Sequence, residues 1–409
     1  MLGAVIRRVD STRGWTVVAA GAVGSGVAFG TVYTFGAFFD AMVDDLGAGK
    51  GPTALVFGVT LFAFFGTGIV AGPLADRYGP RWLVLAGAAL MPLGLVLTSR
   101  VDSVVAGYVT YGVGVGVGGG LVIAPVYTAA AGWIVGRRAL ALGVLAAGNG
   151  LGTLILLPIA ERLISDNGWR DAYITLAVVD AVVVSLCVLV VARPPIPPAP
   201  PALAWMRTVA RTDAFRRLFL TTLLFSVALY VAFGFTVDFA TADGIESGRA
   251  ALLVGLIGAS SVVGRLGLTT LSSRWLAVRL LQGCLAAQPV AFAVWLVAGG
   301  SYLLLVVFAL LLGVAYGGFV ALGPEVALGY FGVVGLGGVI GLLFLAFGLG
   351  GLVGPPFAGW LADVSDGSAV PISFAVVASA CAFALSLTMP TGAVVVDEPQ
   401  RERADRPTR

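Results

Sequence analysis

Between residues 14 and 389 the chain passes twelve times through 18 or more predominantly apolar residues. A run of that length crosses about 30 Å of hydrocarbon as a helix. The runs fall at 14–40, 53–75, 81–99, 104–131, 137–160, 171–193, 213–242, 248–273, 277–299, 302–328, 333–361 and 369–389. Hydrocarbon offers no water to an open backbone, so a spanning segment must be a helix or a strand of a closed barrel. Barrel strands are about ten residues long and alternate in polarity, unlike these continuous runs. The expected fold is all-α and integral to a membrane, with twelve transmembrane helices. Composition agrees: 11% of residues are charged, against about 25% in soluble domains.

Charge placement predicts orientation. With both ends on the cytoplasmic side, the inner segments carry eighteen Lys and Arg residues, the outer segments five, and Arg265 completes the total of 24. That asymmetry favours an even number of spans in the cell membrane with both termini cytoplasmic. The net charge of +3 then reflects topology and calls for no nucleic acid. Arg7 and Arg8 precede an apolar stretch much longer than a signal-peptide core, so residues 14–40 read as the first span. The chain has no histidine, and Cys187, Cys284 and Cys381 lie far apart on separate spans. No metal site, disulfide framework or cofactor is expected.

RPPIPPAPP, residues 193–201, cannot continue a helix and divides the spans six and six. The expected organisation is an N-terminal six-helix bundle over 1–193, a proline-rich cytoplasmic linker with an interfacial helix over 194–212, a C-terminal six-helix bundle over 213–395, and a cytoplasmic tail over 396–409. The interfacial helix, with Leu203, Met206, Ala210 and Ala214 at helical spacing alternating with Arg207, Arg211 and Arg217, suits a lipid surface. The halves echo each other: GPLADRYGPR at 72–81 corresponds in place to GRLGLTTLSSRWLAVR at 264–279, with Ser273 where the first half has Asp76. Internal repeats of this kind point to a carrier whose site lies between two bundles. The glycine-rich YGVGVGVGGG at 111–120 is not a nucleotide loop, because it lies within a span. Gly112, Gly116 and Gly120 instead share a helix face and permit close packing.

The pattern Gly-x-Leu-x-Asp-Arg-x-Gly at 72–79 resembles the signature loop of the major facilitator superfamily. WIVGRRALALGVLAAGNGLG at 133–152, GWRDAYITLA at 168–177, VGRL at 263–266, AYGGFVALGPEVALGYFG at 315–332 and GPPFAGWLAD at 354–363 narrow the resemblance to its monocarboxylate carriers and oxalate/formate exchangers. The resemblance implies a two-bundle fold that moves a small organic anion by alternating access. It implies substrate contacts from Arg265 on span 8, where those relatives bind a carboxylate, and from the cavity-lining Tyr33, Tyr127, Tyr316 and Asn149. Gly72, Asp76, Arg77 and Gly79 would form the gating loop.

Elementary electrostatics also singles out Arg265, the one charged residue of 250–273. A charge inside a span costs at least about 2.5 kcal/mol and marks a pathway or a pair. Its alternatives are binding a carboxylate and snorkelling to the inner headgroups. The exchangers' span-11 lysine is missing here, since 333–360 is uncharged, and the aspartate and lysine of animal monocarboxylate carriers are replaced by Ser261 and Tyr33. One fixed cation suits a monoanion. Asp238 is the candidate for proton coupling, with a solvated position at the outer mouth as its alternative. Asp180 reads as structural. The expected partners are a small organic anion, protons and membrane lipid, and a monomer suffices. Alternatives are a drug or sugar carrier in which Arg265 is structural, and, further off, a receptor or intramembrane enzyme. No histidine is available to an enzyme site, and the membrane acids form no recognisable pair.

Overall fold

The computed structural model describes residues 10–134, 136–195, 203–272, 274–332, 336–365 and 367–391. The expected tail over 396–409 and the side chain of Asp76 lie outside the described residues.

Among the described residues twelve helices are long and apolar enough to cross a membrane. They are span 1 Thr12–Leu46, span 2 Lys50–Gly72, span 3 Pro80–Thr98, span 4 Val104–Trp133, span 5 Leu140–Asn167, span 6 Trp169–Val190, span 7 Asp213–Ala242, span 8 Ser247–Leu271, span 9 Ala277–Leu296, span 10 Tyr302–Phe331, span 11 Gly338–Ser365 and span 12 Ala369–Ser386. A short helix, Leu203–Ala210, precedes span 7 and lays Met206 against Gly338 at the start of span 11. The chain enters span 1 and leaves span 12 at one face of the bundle, here the termini face. The opposite one is the far face.

Local sequence explains where the helices start and turn. Ser11, Ser103 and Thr212 accept backbone N–H bonds from Gly14, Ala106 and Phe215, capping three helix starts. Between spans 2 and 3 the chain reverses at Gly79, whose φ of 92° suits glycine, and Pro80 opens the next helix. Span 1 is longer than its apolar run: it continues past Asp40 to Leu46, and Asp45 in its last turn pairs with Arg170 of span 6 at 2.7 Å. It is also interrupted at Thr34, whose hydroxyl donates back to the Thr31 carbonyl. Facing this break, span 4 widens into a π-helix over Tyr108–Val115, from which the Tyr111 hydroxyl bonds the same Thr31 carbonyl. π-Turns within helices cluster at functional sites.

The two halves repeat one packing scheme. Span 1 packs on 5, 2 on 4 and 3 on 6; in the second half 7 packs on 11, 8 on 10 and 9 on 12. Between the bundles, span 2 lies on 11 and span 5 on 8, which are equivalent pairs under the repeat. Glycines permit this approach. A β-carbon on Gly112 would press on Val59, one on Gly116 on the Thr60 carbonyl and one on Gly120 on the Phe64 carbonyl, so the glycine stripe of span 4 seats span 2.

The bundles are zipped together over only part of their depth. From the far face inward, Gly51 faces Trp360, Gly58 faces Gly351 and Leu352, and Phe65 meets Phe344 with ring centroids 6.0 Å apart. On the other side Gly255 faces Leu154 and Gly150 faces Gly258. Toward the termini face Gly66, Gly72, Gly267 and Gly341 each look onto open space. The interface is therefore closed at the far face and parted at the termini face.

Candidate functional site

Arg265 sits where the zipped part of the interface ends. It is 9% exposed, on the side of span 8 that meets span 5. Its Nη1 donates to the carbonyl oxygen of Ala146 on span 5, 3.3 Å away, and its Cζ stands 5.5 Å from the centre of the Tyr316 ring. Nε is buried and has no partner, and no described carboxylate lies within ion-pair distance. A guanidinium carries five N–H donors in a planar fork, so this cation retains donor capacity that the protein leaves unused.

Four polar side chains share its surroundings. Tyr33, Tyr127 and Tyr316 come from spans 1, 4 and 10, and all three lie within electrostatic reach of the guanidinium. Asn149 of span 5 donates from Nδ2 to the Tyr127 hydroxyl at 3.2 Å, while its buried Oδ1 has no partner. The structure thus gathers Arg265, Tyr33, Tyr127, Tyr316 and Asn149 into one region between the bundles. Buried polar groups left unpaired cost about 1–3 kcal/mol each, and this region holds two of them, Arg265 Nε and Asn149 Oδ1.

An aromatic plug closes this region on its far side. Tyr33 stacks on Phe29 at 4.2 Å, meets Phe233 edge-on at 4.6 Å, and approaches the Tyr230 hydroxyl to 3.5 Å with its own. Phe57 packs against both tyrosines, and the backbone of Phe233 lies against Gly36. Tyr230 and Phe233 were not legible as site residues from the sequence, because an aromatic side chain in a membrane helix gives no sign of which neighbour it faces.

Asp238 lies elsewhere. Two turns beyond Tyr230 on span 7, about 12 Å along the helix, it is nearly buried and pairs with Lys50 at 2.7 and 2.8 Å. Asp180 is fully buried within the N-terminal bundle and accepts a bond from Thr31 at 2.9 Å. At the termini face Gly79 makes its turn, Gly72 faces open space, and Arg77 is exposed with its guanidinium 5.2 Å from the Tyr78 ring. Among the described residues no group of three or more metal-ligating side chains forms.

Comparison with known proteins agrees with this architecture. Residues 21–300 match the family model of the Major Facilitator Superfamily. The chain is 29% identical over 377 residues to Monocarboxylate transporter 3 of Rattus norvegicus, covering 87% of this chain and 75% of that one. It is 30% identical to Monocarboxylate transporter 11 of Mus musculus, covering 87% and 82%. Among solved structures, a bacterial homolog of the human lysosomal transporter Spinster superposes with a TM-score of 0.74 at 15% identity, covering 93% of this chain and 98% of that one. The match to the family model spans well over half of the chain, and its two bundles have the corresponding fold: this protein is a membrane transporter of the major facilitator superfamily and not an enzyme.

Proposed function

We propose that the protein carries a small monocarboxylate across the cell membrane by alternating access, with Arg265 as the anion site. The observation that carries this reading is the buried guanidinium with an unused Nε, held at the bundle interface among hydroxyls and without an acidic partner. A carboxylate docked on it makes a charge-assisted contact in a dehydrated cavity, which offsets the cost of burying the cation. Tyr316, Tyr127 and Asn149 supply hydroxyl and amide contacts, and the Tyr33 ring an apolar wall, for a short organic chain. The relatives named monocarboxylate transporters support the same substrate class.

The positive charge gathered at the termini face supports a cytoplasmic location for both ends. The parted face then opens to the cytoplasm, and the described state is inward-open. Return to the outward-open state closes the termini face, where the loop of Gly72, Asp76, Arg77 and Gly79 meets the opposite bundle. Uptake draws on a proton gradient, with Asp238 as the coupling acid, or on exchange for a second anion.

The test is uptake of labelled short monocarboxylates into proteoliposomes by wild type and Arg265→Gln. Uptake lost in the folded variant supports the reading, and equal uptake by both overturns it. The Arg265–Ala146 bond favours a second reading, in which the arginine pins span 8 to span 5 and the cargo is a neutral drug or sugar. That reading predicts no carboxylate uptake by wild type and a loss of thermal stability in Arg265→Gln.

A further inference from the structure

At the far face one cation stands between acids from both bundles. Lys50 opens span 2, and its Nζ lies 2.7 and 2.8 Å from the two carboxylate oxygens of Asp238, 188 residues away on span 7. Its stem runs beside Phe239, with Nζ 5.6 Å from that ring. Asp238 is 5% exposed and Lys50 is 31% exposed at the side chain. The pair is therefore sheltered on the acid's side and wet on the lysine's. The backbone of the same lysine is also held: its N–H and that of Gly51 donate to Oδ1 and Oδ2 of Asp363 on span 11, at 2.8 and 2.9 Å. Two carboxylates of the C-terminal bundle thus grip the first turn of span 2, one through the side chain and one through the helix N-terminus.

Asp40 makes the arrangement unusual. It lies on span 1, in the same bundle as Lys50, yet its carboxyl stands against that of Asp238 and within the field of Lys50 and Asp44. Placing two acids side by side costs energy through like-charge repulsion. In the closed far face Lys50 bonds Asp238, and Asp40 meets the same Asp238 carboxyl to carboxyl, so it makes no bond to the lysine while the face is shut. Opening the far face carries Asp238 and Asp363 away with the C-terminal bundle. Lys50 and Asp40 stay behind together.

We propose that Lys50 is a two-partner latch, which shuts the far face by pairing with Asp238 and passes to Asp40 when the bundles part. The exchange keeps the lysine paired in both states. It lowers the cost of opening compared with a latch whose cation is stranded, while Asp238 and the freed Asp363 gain water. The inference rests on the alternating-access reading and is independent of which solute is carried. Its readout is conformational, so it stands or falls separately from the Arg265 uptake test.

The experiment measures the gap across the far face by pulsed electron spin resonance in proteoliposomes. Cys381 is replaced by serine, and labels are placed at Asp102→Cys and Glu246→Cys, exposed positions on the far-face loops of the two bundles. Breaking the pair in Lys50→Met raises the long-distance population relative to the short one by roughly fivefold, as expected for a partly exposed ion pair. Exchanging the charges, Lys50→Asp with Asp238→Lys, returns the short distance and also controls for folding. Asp40→Asn lowers the open population in the wild-type background and has no effect in Lys50→Met. An unchanged distribution in Lys50→Met overturns the latch. An open population in Asp40→Asn that stays the same or rises overturns the hand-over between partners.

Discussion

Arg265 on span 8 is bonded to the carbonyl of Ala146 on span 5, so the one buried cation among the described residues touches both bundles at the depth where they separate. A ligand that takes up the remaining donors acts on this junction directly. Binding and the rocking of the bundles are thereby linked through one side chain.

The planar fork matters as well as the charge. Arg265→Lys keeps a cation but offers no bidentate face. We expect its KM for a monocarboxylate to rise by about tenfold or more, as loss of one charged hydrogen bond implies, with transport lost in Arg265→Gln. Initial-rate uptake across a substrate series checks both.

The hydroxyl and amide groups should differ in weight. Asn149→Ala removes the donor that fixes the Tyr127 hydroxyl and the orphaned Oδ1, and we expect KM to rise roughly fivefold, the worth of about one neutral hydrogen bond. Tyr33→Phe removes only a 3.5 Å contact with Tyr230, at the outer limit of a hydrogen bond. Its KM should stay within about twofold of wild type if that contact is all its hydroxyl makes. Loss of uptake in Tyr33→Phe would show that this hydroxyl meets the substrate.

Glycines at the interface should respond by depth. A β-carbon on Gly150 would come within 2.7 Å of the Gly258 carbonyl, so Gly150→Val wedges spans 5 and 8 apart. We expect it to cost about 1–3 kcal/mol of stability, the range for overpacking, and to stop transport. Gly72 faces open space in this state. Gly72→Ala should leave the melting temperature unchanged or raised, since alanine is favoured over glycine in a helix by about 1 kcal/mol. Gly72→Leu should slow transport by obstructing closure of the termini face. Thermal melts and uptake rates in the same preparations separate the two effects.

Proton coupling has its own test at Asp238. If this acid carries the proton, Asp238→Asn should abolish pH change in the vesicle lumen during uptake while anion counterflow continues. Lumenal pH dye traces that match wild type would assign coupling elsewhere, or to the substrate's own proton.

What could be read from the chain alone follows from the range of the forces involved. Insertion into hydrocarbon depends on a contiguous run of about 20 residues, so the twelve spans, the proline break at 193–201 and the isolation of Arg265 are all visible locally. The interruption of span 1 at Thr34 and the π-helix over Tyr108–Val115 are not. Each occurs within an ordinary apolar run and becomes evident only where Tyr111 of one helix bonds the carbonyl of Thr31 on the other. The same holds for Lys50, which by sequence is one of five outer basic residues. Hydropathy is a property of neighbours along the chain, whereas an ion pair is a property of neighbours in space. The sequence alone determined that the chain crosses a membrane twelve times with one stranded arginine. Only the tertiary structure decided that Lys50 meets Asp238 and Asp40, because packing of the two bundles brings together charges that the chain keeps as many as 188 residues apart.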